Sequence, residues 1–203
     1  MAKPEQNLVS DALIKLLSQT PRSGEAESAS PLERSKSVAR RSALRAAGVS
    51  AAFALPPGPL GIVTILPDLL AIWRIQQAMV ADIAALHGRS AALSREAMIY
   101  CLFKHGGAAL VRDLVVRTGE RYLIRRAAGH SLQRLLEKVG IKVSQRFIGK
   151  GLARWVPLAG SVAVGAYAYY DTKKVAETAM ELFSRDVETL SESVPEAARA
   201  VAM

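Results

Sequence analysis

Along most of this chain apolar positions recur at helical spacing, and runs of proline, glycine and serine punctuate them. Residues 4–18 place Leu8, Leu13, Leu16 and Leu17 on one side of a short amphipathic helix. The stretch QTPRSGEAESASPL at 19–32 has no period and reads as a linker, so the first 32 residues are expected to be a flexible arm. From 33 the helical signals are dense. A helix over 33–54 begins polar and basic and turns small and apolar. Pro56, Pro57 and Pro59 then break the chain, because proline lacks the N–H and clashes with the preceding turn. A helix over 64–87 carries Pro67 in its first turn, where a missing N–H costs least, and Gly88 fits its C-cap.

Residues 91–105 read as a further helix closed by Gly106 and Gly107, and 108–140 as one interrupted helix or two to three shorter ones. Residues 142–154 are weaker, since Gly149 and Gly151 lower helix propensity. A last long helix starts near Pro157 and runs to about 193, leaving 194–203 as a tail. No run alternates with period two between turn signals. The expected fold class is all-α: a single multi-helix domain over 33–193 with a Gly/Pro-broken apolar hairpin, preceded by the arm 1–32.

Two stretches are free of charge: 22 residues from Ala46 to Pro67 and 16 from Trp155 to Tyr170. A spanning helix needs roughly 17–25 apolar residues in one unbroken rod. The first stretch contains four prolines and the second begins near Pro157, so neither is a clean span. A buried hairpin of a soluble domain, a segment inserted partway into a bilayer, and a true span all stay open. Arg40, Arg41, Arg45, Lys173 and Lys174 flank the two stretches, as suits a cytoplasmic membrane face or an ordinary helix end. In the second stretch Ser161 and Gly165 lie four apart, the spacing at which small residues let helices approach closely. Tyr167, Tyr169 and Tyr170 follow where the apolar run meets charge.

Charge changes the picture further. The net charge is +9, and residues 100–155 hold 12 basic and 3 acidic groups while 156–203 hold 4 and 7. The middle region therefore favours a polyanion, with Arg112, Arg117, Arg121, Arg125, Arg126 and Arg134 as candidate contacts to an anionic surface. The alternative is a solvated basic face partly neutralised by the acidic C-terminal part. Nucleic acid is the weaker partner, since Tyr122 and Phe147 are sparse aromatics for a basic run and no helix-turn-helix pattern stands out. The opening MAKPEQNLVSDALIKLL lacks a continuous apolar core of a signal peptide, and Cys101 is the lone cysteine, which together set a cytoplasmic expectation.

Catalytic patterns are absent: no GxSxG, HExxH or CxxC occurs, and Gly149–Lys150 lacks the rest of a phosphate-binding loop. No catalytic, metal-binding or cofactor-binding residue is assigned. Cys101, among Tyr, Leu and Phe, reads as a packing residue. His87, His105 and His130 each sit beside glycine, as helix-terminal histidines do. At 100° per residue Asp68 falls on the apolar stripe of Ile72, Ile75, Met79, Ile83 and Leu86, with Gln77 almost opposite. Asp68 is either a first-turn carboxylate facing the helix dipole or a buried one paired with a basic group from 100–155.

The string LPDLLAIWRIQQAMVADIAALHG at 66–88 resembles the EcsC family, with Asp68, Gln77, Met79, Ile83, Ala84 and Gly88 on its pattern and His87 where the family has Tyr. The string from Ile148 to Phe183 is similar to that family's second signature at Gly149, Pro157, Gly160, Gly165, Ala179 and Phe183. The likeness covers roughly 36–186, and its motifs consist of small and apolar residues. It implies a bacterial, all-α, cytoplasmic or inner-membrane-associated protein, since the founding member is encoded with an ABC transporter whose loss disturbs secretion. It implies no catalytic residue, and Asp68, Gln77, Gly88, Pro157, Gly160 and Gly165 become candidate structural positions. The functional expectation is a non-enzymatic accessory protein at an anionic membrane surface or membrane protein complex. A soluble lipid- or small-molecule-binding helical domain is the alternative, and nucleic-acid binding through 100–155 a weaker one.

Overall fold

The computed structural model describes residues 14–17, 20–53, 65–111, 114–118, 121–125, 134–139 and 157–190. The domain is mostly helical, as expected. Helix α1 (Pro31–Phe53) is followed by α2 (Ile65–Leu86), a 3-10 turn at Ser90–Ala92 and α3 (Arg95–Val111). Strands β1 (Val115–Thr118) and β2 (Arg121–Arg125) come next, then α4 (Pro157–Phe183) and β3 (Asp186–Leu190). Short helical segments also stand at 14–17 and 134–139. The proline cluster Pro56, Pro57 and Pro59, the 142–154 segment, His130 and the tail 194–203 lie outside the described residues.

Each helix follows from its sequence. α1 buries Ser35, Val38, Ala39, Ala43, Ala46 and Ser50, a stripe of small residues at three- and four-residue spacing. α2 is buried nearly all round, which makes it the central rod; Arg74 and Ala78 are among its few exposed positions. It closes in a Schellman motif: Arg89 N–H donates to the Ala84 carbonyl (2.8 Å) and Gly88 N–H to that of Ala85 (2.9 Å), with Gly88 at φ +66°. That φ belongs to the left-handed region, so the C-cap reading of Gly88 holds. At the head of α3 the Ser94 hydroxyl accepts from Ala97 N–H (3.2 Å), an N-cap bond. α4 buries Ser161, Gly165, Ala168, Thr172, Val175, Ala179 and Phe183 along one stripe.

Contacts fix the directions. Ser50 meets Asp68, and Ala46, Ile72 and Ala168 form one cluster, so α2 runs antiparallel to α1 and parallel to α4. α1 and α4 approach closely at Gly165, where an added Cβ would lie 3.0 Å from the Ala47 carbonyl oxygen and 3.2 Å from the Ala51 Cβ. The small residues of both helices create that approach. Trp73 of α2 meets Phe103 of α3 edge to face, centroids 6.0 Å apart, inside the main core.

Three expectations are corrected. First, α3 does not stop at Gly106–Gly107 but runs to Val111. Its buried run Ala97–Phe103 and fully buried Val111 anchor both ends, which outweighs two unfavourable glycine propensities. Secondly, the region read as short helices contains a hairpin. β1 pairs antiparallel with β2 in the register Val115↔Ile124 to Thr118↔Arg121, and β2 pairs parallel with β3 from Arg121↔Asp186 to Arg125↔Leu190. Exposure alternates along β2: Arg121 and Arg125 face water while Tyr122 and Ile124 are buried. Accordingly the last helix ends at Phe183, not 193, because 186–190 supplies the strand that covers the β2 edge.

The third correction concerns the arm. Leu17 is buried in the main core, and Gln77 Nε2 donates to the Leu16 carbonyl at 3.3 Å. Further on, Ser23 Oγ donates to Asp82 Oδ1 (2.6 Å), and Ser28 N–H donates to the Leu86 carbonyl (3.0 Å), one of the orphan acceptors at the end of α2. Glu25 reaches Arg34 at 3.0 Å and Arg41 at 3.9 Å. The polar composition of 20–30 thus serves as a strap that caps α2 and ties it to α1.

Candidate functional site

The directions of the helices gather the described parts of the charge-free stretches at one end. There α1 finishes, and α2 and α4 begin. Behind this end the Ala46–Ile72–Ala168 layer crosses the bundle, and Arg45, Arg74 and Tyr170 stand at about its level. From that level to the end, Asp68 is the one charged side chain among the described residues of the three helices. It is 2% exposed and accepts from Ser50 Oγ at 3.1 Å, so its charge faces inward between α1 and α2. The surface there is small and apolar, with Val162 (71% exposed), Ala163, Ala166 and Ala52 open to solvent and Leu44 at its margin.

A level of cations follows. Arg40, Arg45, Arg74 and Lys173 are exposed, and among the described residues no carboxylate pairs with any of them. Arg41 lies 3.9 Å from Glu25, and Lys174 is held by Glu177 at 2.8 Å while its ammonium sits 5.5 Å over the Tyr170 ring. An apolar surface bordered by cations and the Tyr170 ring is the kind of surface that a bilayer interface complements. α2 itself has a window, Pro67–Leu86, long and apolar enough to cross a membrane, but 67% of it is buried inside the protein. Its apolarity therefore serves the core.

Of the basic residues singled out in 100–155, those on the strands lie elsewhere. Arg117, Arg121 and Arg125 are exposed on the strands, and Arg134 is exposed on the segment 134–139; Arg112 and Arg126 lie outside the described residues. β2 is paired to β3, which follows the far end of α4. From Gly165 to Phe183 a helix rises about 27 Å, well beyond the ~5–10 Å that an interfacial element inserts. Apolar end and basic strands are therefore separate features. Arg121 lies opposite Asp186 in the strand register, and the Asp186 carboxylate takes Arg89 at 2.6 Å.

The candidate structural positions scatter by role. Asp68 and Gln77 are buried on different sides of α2, Gly88 caps it, and Gly165 sits at the α1–α4 crossing. Pro157 and Gly160 lie in the first turn of α4. The sequence reading missed the polar cluster that ties α2, α3 and α4. Gln76 Nε2 donates to Asp171 Oδ2 (2.9 Å) and Thr172 Oγ1 (3.2 Å), and His105 Nε2 meets Asp171 Oδ1 at 2.7 Å. His105 is thus a mid-helix partner of Asp171, not a helix-terminal residue. Asp171, the first charge after the second stretch, was the available signal.

A second cluster joins the sheet to the helices. Tyr122 O–H donates to Glu181 Oε1 (2.7 Å), and Lys104 Nζ donates to Oε2 (2.9 Å). These bonds hold the Glu181 carboxyl below its usual range, the Tyr122 contribution leading. Burial, followed by the Glu181 bond, pushes Tyr122 up to about 12. Burial opposes the Lys104 charge, but its bonds to Glu181 and Tyr100 raise it above the ordinary lysine range. His87 does stand at the end of α2, yet burial and then Arg89 lower its pKa, so the imidazole favours its neutral form. Cys101 is fully buried and burial pushes its thiol up, in keeping with a packing role. Among the described residues no group of three His, Cys, Asp or Glu could hold a metal ion. No known protein family, curated protein or solved structure matches this chain.

Proposed function

We propose that this chain is an EcsC-like accessory protein that rests its charge-free end on the anionic, cytoplasmic face of a bilayer and there serves a membrane protein complex. One observation carries the reading: four cations without a described carboxylate partner stand directly behind an end whose single described charge is turned inward. Apolar side chains at that end enter the headgroup boundary by about 5–10 Å. Each Lys or Arg near the surface adds about 1 kcal/mol, so Arg40, Arg45, Arg74 and Lys173 together contribute about 4 kcal/mol, close to a thousandfold in affinity. Tyr170 sits where the apolar end gives way to charge, a position that suits an amphipathic ring. The lipid contact thereby moves from the arginines of 100–155 to Arg40 and Arg45 of α1, Arg74 of α2 and Lys173 of α4. The family resemblance extends it to a complex of the ABC-transporter type, with the basic strands left to face the aqueous side.

Vesicle flotation tests this. The full chain is expected to float with vesicles containing anionic phospholipid at low salt, to release as salt screens the cations, and to ignore neutral vesicles. Equal recovery in the soluble fraction with both vesicle types at low salt overturns the proposal.

A further inference from the structure

We infer that the groove between α1 and α4 seats the phosphate headgroup of an anionic phospholipid, an inference that rests on the membrane reading above. The groove has a volume of about 360 Å3. Lys36 and Arg40 stand on one wall, Tyr169 and Lys173 on the other, and Ala39 and Met180 provide apolar surface between them. Small side chains at Ala39 and Ala176 keep the facing helix surfaces low, which opens the space. Of the charges on the walls, Lys36 is held by Glu33 (2.7 Å) and Glu177 by Lys174 (2.8 Å). Arg40 and Lys173 have no described carboxylate partner, so two cations are available to a ligand from opposite walls.

That pattern selects an anion with an apolar body. Arg40 can offer a phosphate its planar fork of donors, and Lys173 adds a point charge. A free phosphate would use those cations and leave Met180 and the Tyr169 ring unused; a phospholipid uses both. Position argues the same way. Arg40 lies five residues behind Arg45, about 7.5 Å further from the charge-free end. This step is of the size that separates the acyl boundary from the phosphates when the end is inserted.

The test uses the full chain and three forms: the parent, Arg40→Glu/Lys173→Glu, and Arg45→Glu/Arg74→Glu, cations of the same end that do not line the groove, which makes the same change in net charge. All four positions are exposed, so folding tolerates the substitutions. Binding is measured on vesicles of phosphatidylcholine with and without phosphatidylglycerol, and in solution on inorganic phosphate and glycerol phosphate. Both pairs are expected to weaken binding to phosphatidylglycerol vesicles, the groove pair about tenfold or more beyond the Arg45/Arg74 pair. If the Arg45/Arg74 pair weakens binding at least as much as the groove pair, the groove is overturned and the membrane reading stands; if neither pair weakens it while the parent still binds, both are overturned. Failure of the parent to bind any anionic vesicle overturns the membrane reading and the groove with it. Saturable binding of inorganic phosphate as tight as that of the lipid overturns the phospholipid assignment.

Discussion

Two glycines in helices make a matched experiment, because the same substitution is predicted to act with opposite sign. A Cβ added at Gly48 in α1 meets nothing within 4 Å. Gly48→Ala therefore collects the helix-propensity difference between glycine and alanine, about 1 kcal/mol of stabilisation. At Gly165 the same methyl would stand 3.0 Å from the Ala47 carbonyl oxygen and 3.2 Å from the Ala51 Cβ. A helical carbonyl cannot swing aside as a long side chain can, so α1 and α4 must separate. Overpacking of this kind costs about 1–3 kcal/mol, which offsets the propensity gain and leaves a net loss of about 1 kcal/mol. The two variants should thus differ by about 2 kcal/mol, or about 4–8 °C in midpoint for a chain of this size. Thermal and urea denaturation followed by circular dichroism at the helical band reads the difference. A Gly165→Ala protein as stable as Gly48→Ala would refute the close helix crossing, and with it the assignment of both charge-free stretches to one end.

Gly88→Ala should lower stability by about 1–2 kcal/mol in the same assay, since alanine at φ +66° is strained; Gly24→Ala, with nothing near its Cβ, should be neutral within error. Tyr122→Phe removes a hydrogen bond to a partly exposed carboxylate and should cost about 1.5 kcal/mol at neutral pH. Because the folded state holds the Tyr122 proton up to about 12, against an ordinary value of 10.0, this stabilisation is full below 10 and lost as pH rises through about 12. An ultraviolet titration of the folded parent should show a late-ionising tyrosine that Tyr122→Phe lacks. For His87 the sign is reversed. The folded state favours neutral imidazole, so stability is full above the ordinary value of 6.5 and declines as pH falls through the lowered folded value. Urea midpoints over a pH series should show that decline in the parent and a flatter profile in His87→Gln.

The helical part of the fold was legible because its signals are local. Pro157 begins α4, Gly88 closes α2, and the small-residue stripe on α4 announced a close crossing. The hairpin was not, because strands of four and five residues give period-two alternation too little length to stand out beside Leu- and Arg-rich neighbours. Its signal was Val115-Val116 before Thr118 and the strand-prone run Tyr122-Leu123-Ile124 between Arg121 and Arg125. β3 was hidden for another reason: Asp186–Leu190 is a strand because β2 offers it an edge, a tertiary fact absent from the segment itself. The strap at 20–30 misled through composition, since serine and glutamate that read as solvent-loving also bond Asp82, Leu86 and Arg34.

For the candidate site, the flanking cations and the place of Asp68 on the apolar stripe of α2 could be read, but not that Asp68 turns inward to Ser50, nor the level of these groups along the bundle. That needed the antiparallel pairing of α1 with α2 and α4, which also shows the basic strands to be remote from the apolar end. Sequence distance made the 100–155 arginines look like neighbours of the charge-free stretches. A helix of 27 residues carries them away from it.

The most direct test of the central claim is depth. Spin labels placed singly at Ala52 near the charge-free end and at Arg125 on the sheet, with buried Cys101 left unreactive, report oxygen and water-soluble relaxant accessibility on anionic vesicles. The account predicts that the Ala52 label becomes accessible to oxygen and shielded from the aqueous relaxant while the Arg125 label stays in water. A shielded Arg125 label with an aqueous Ala52 label would contradict it.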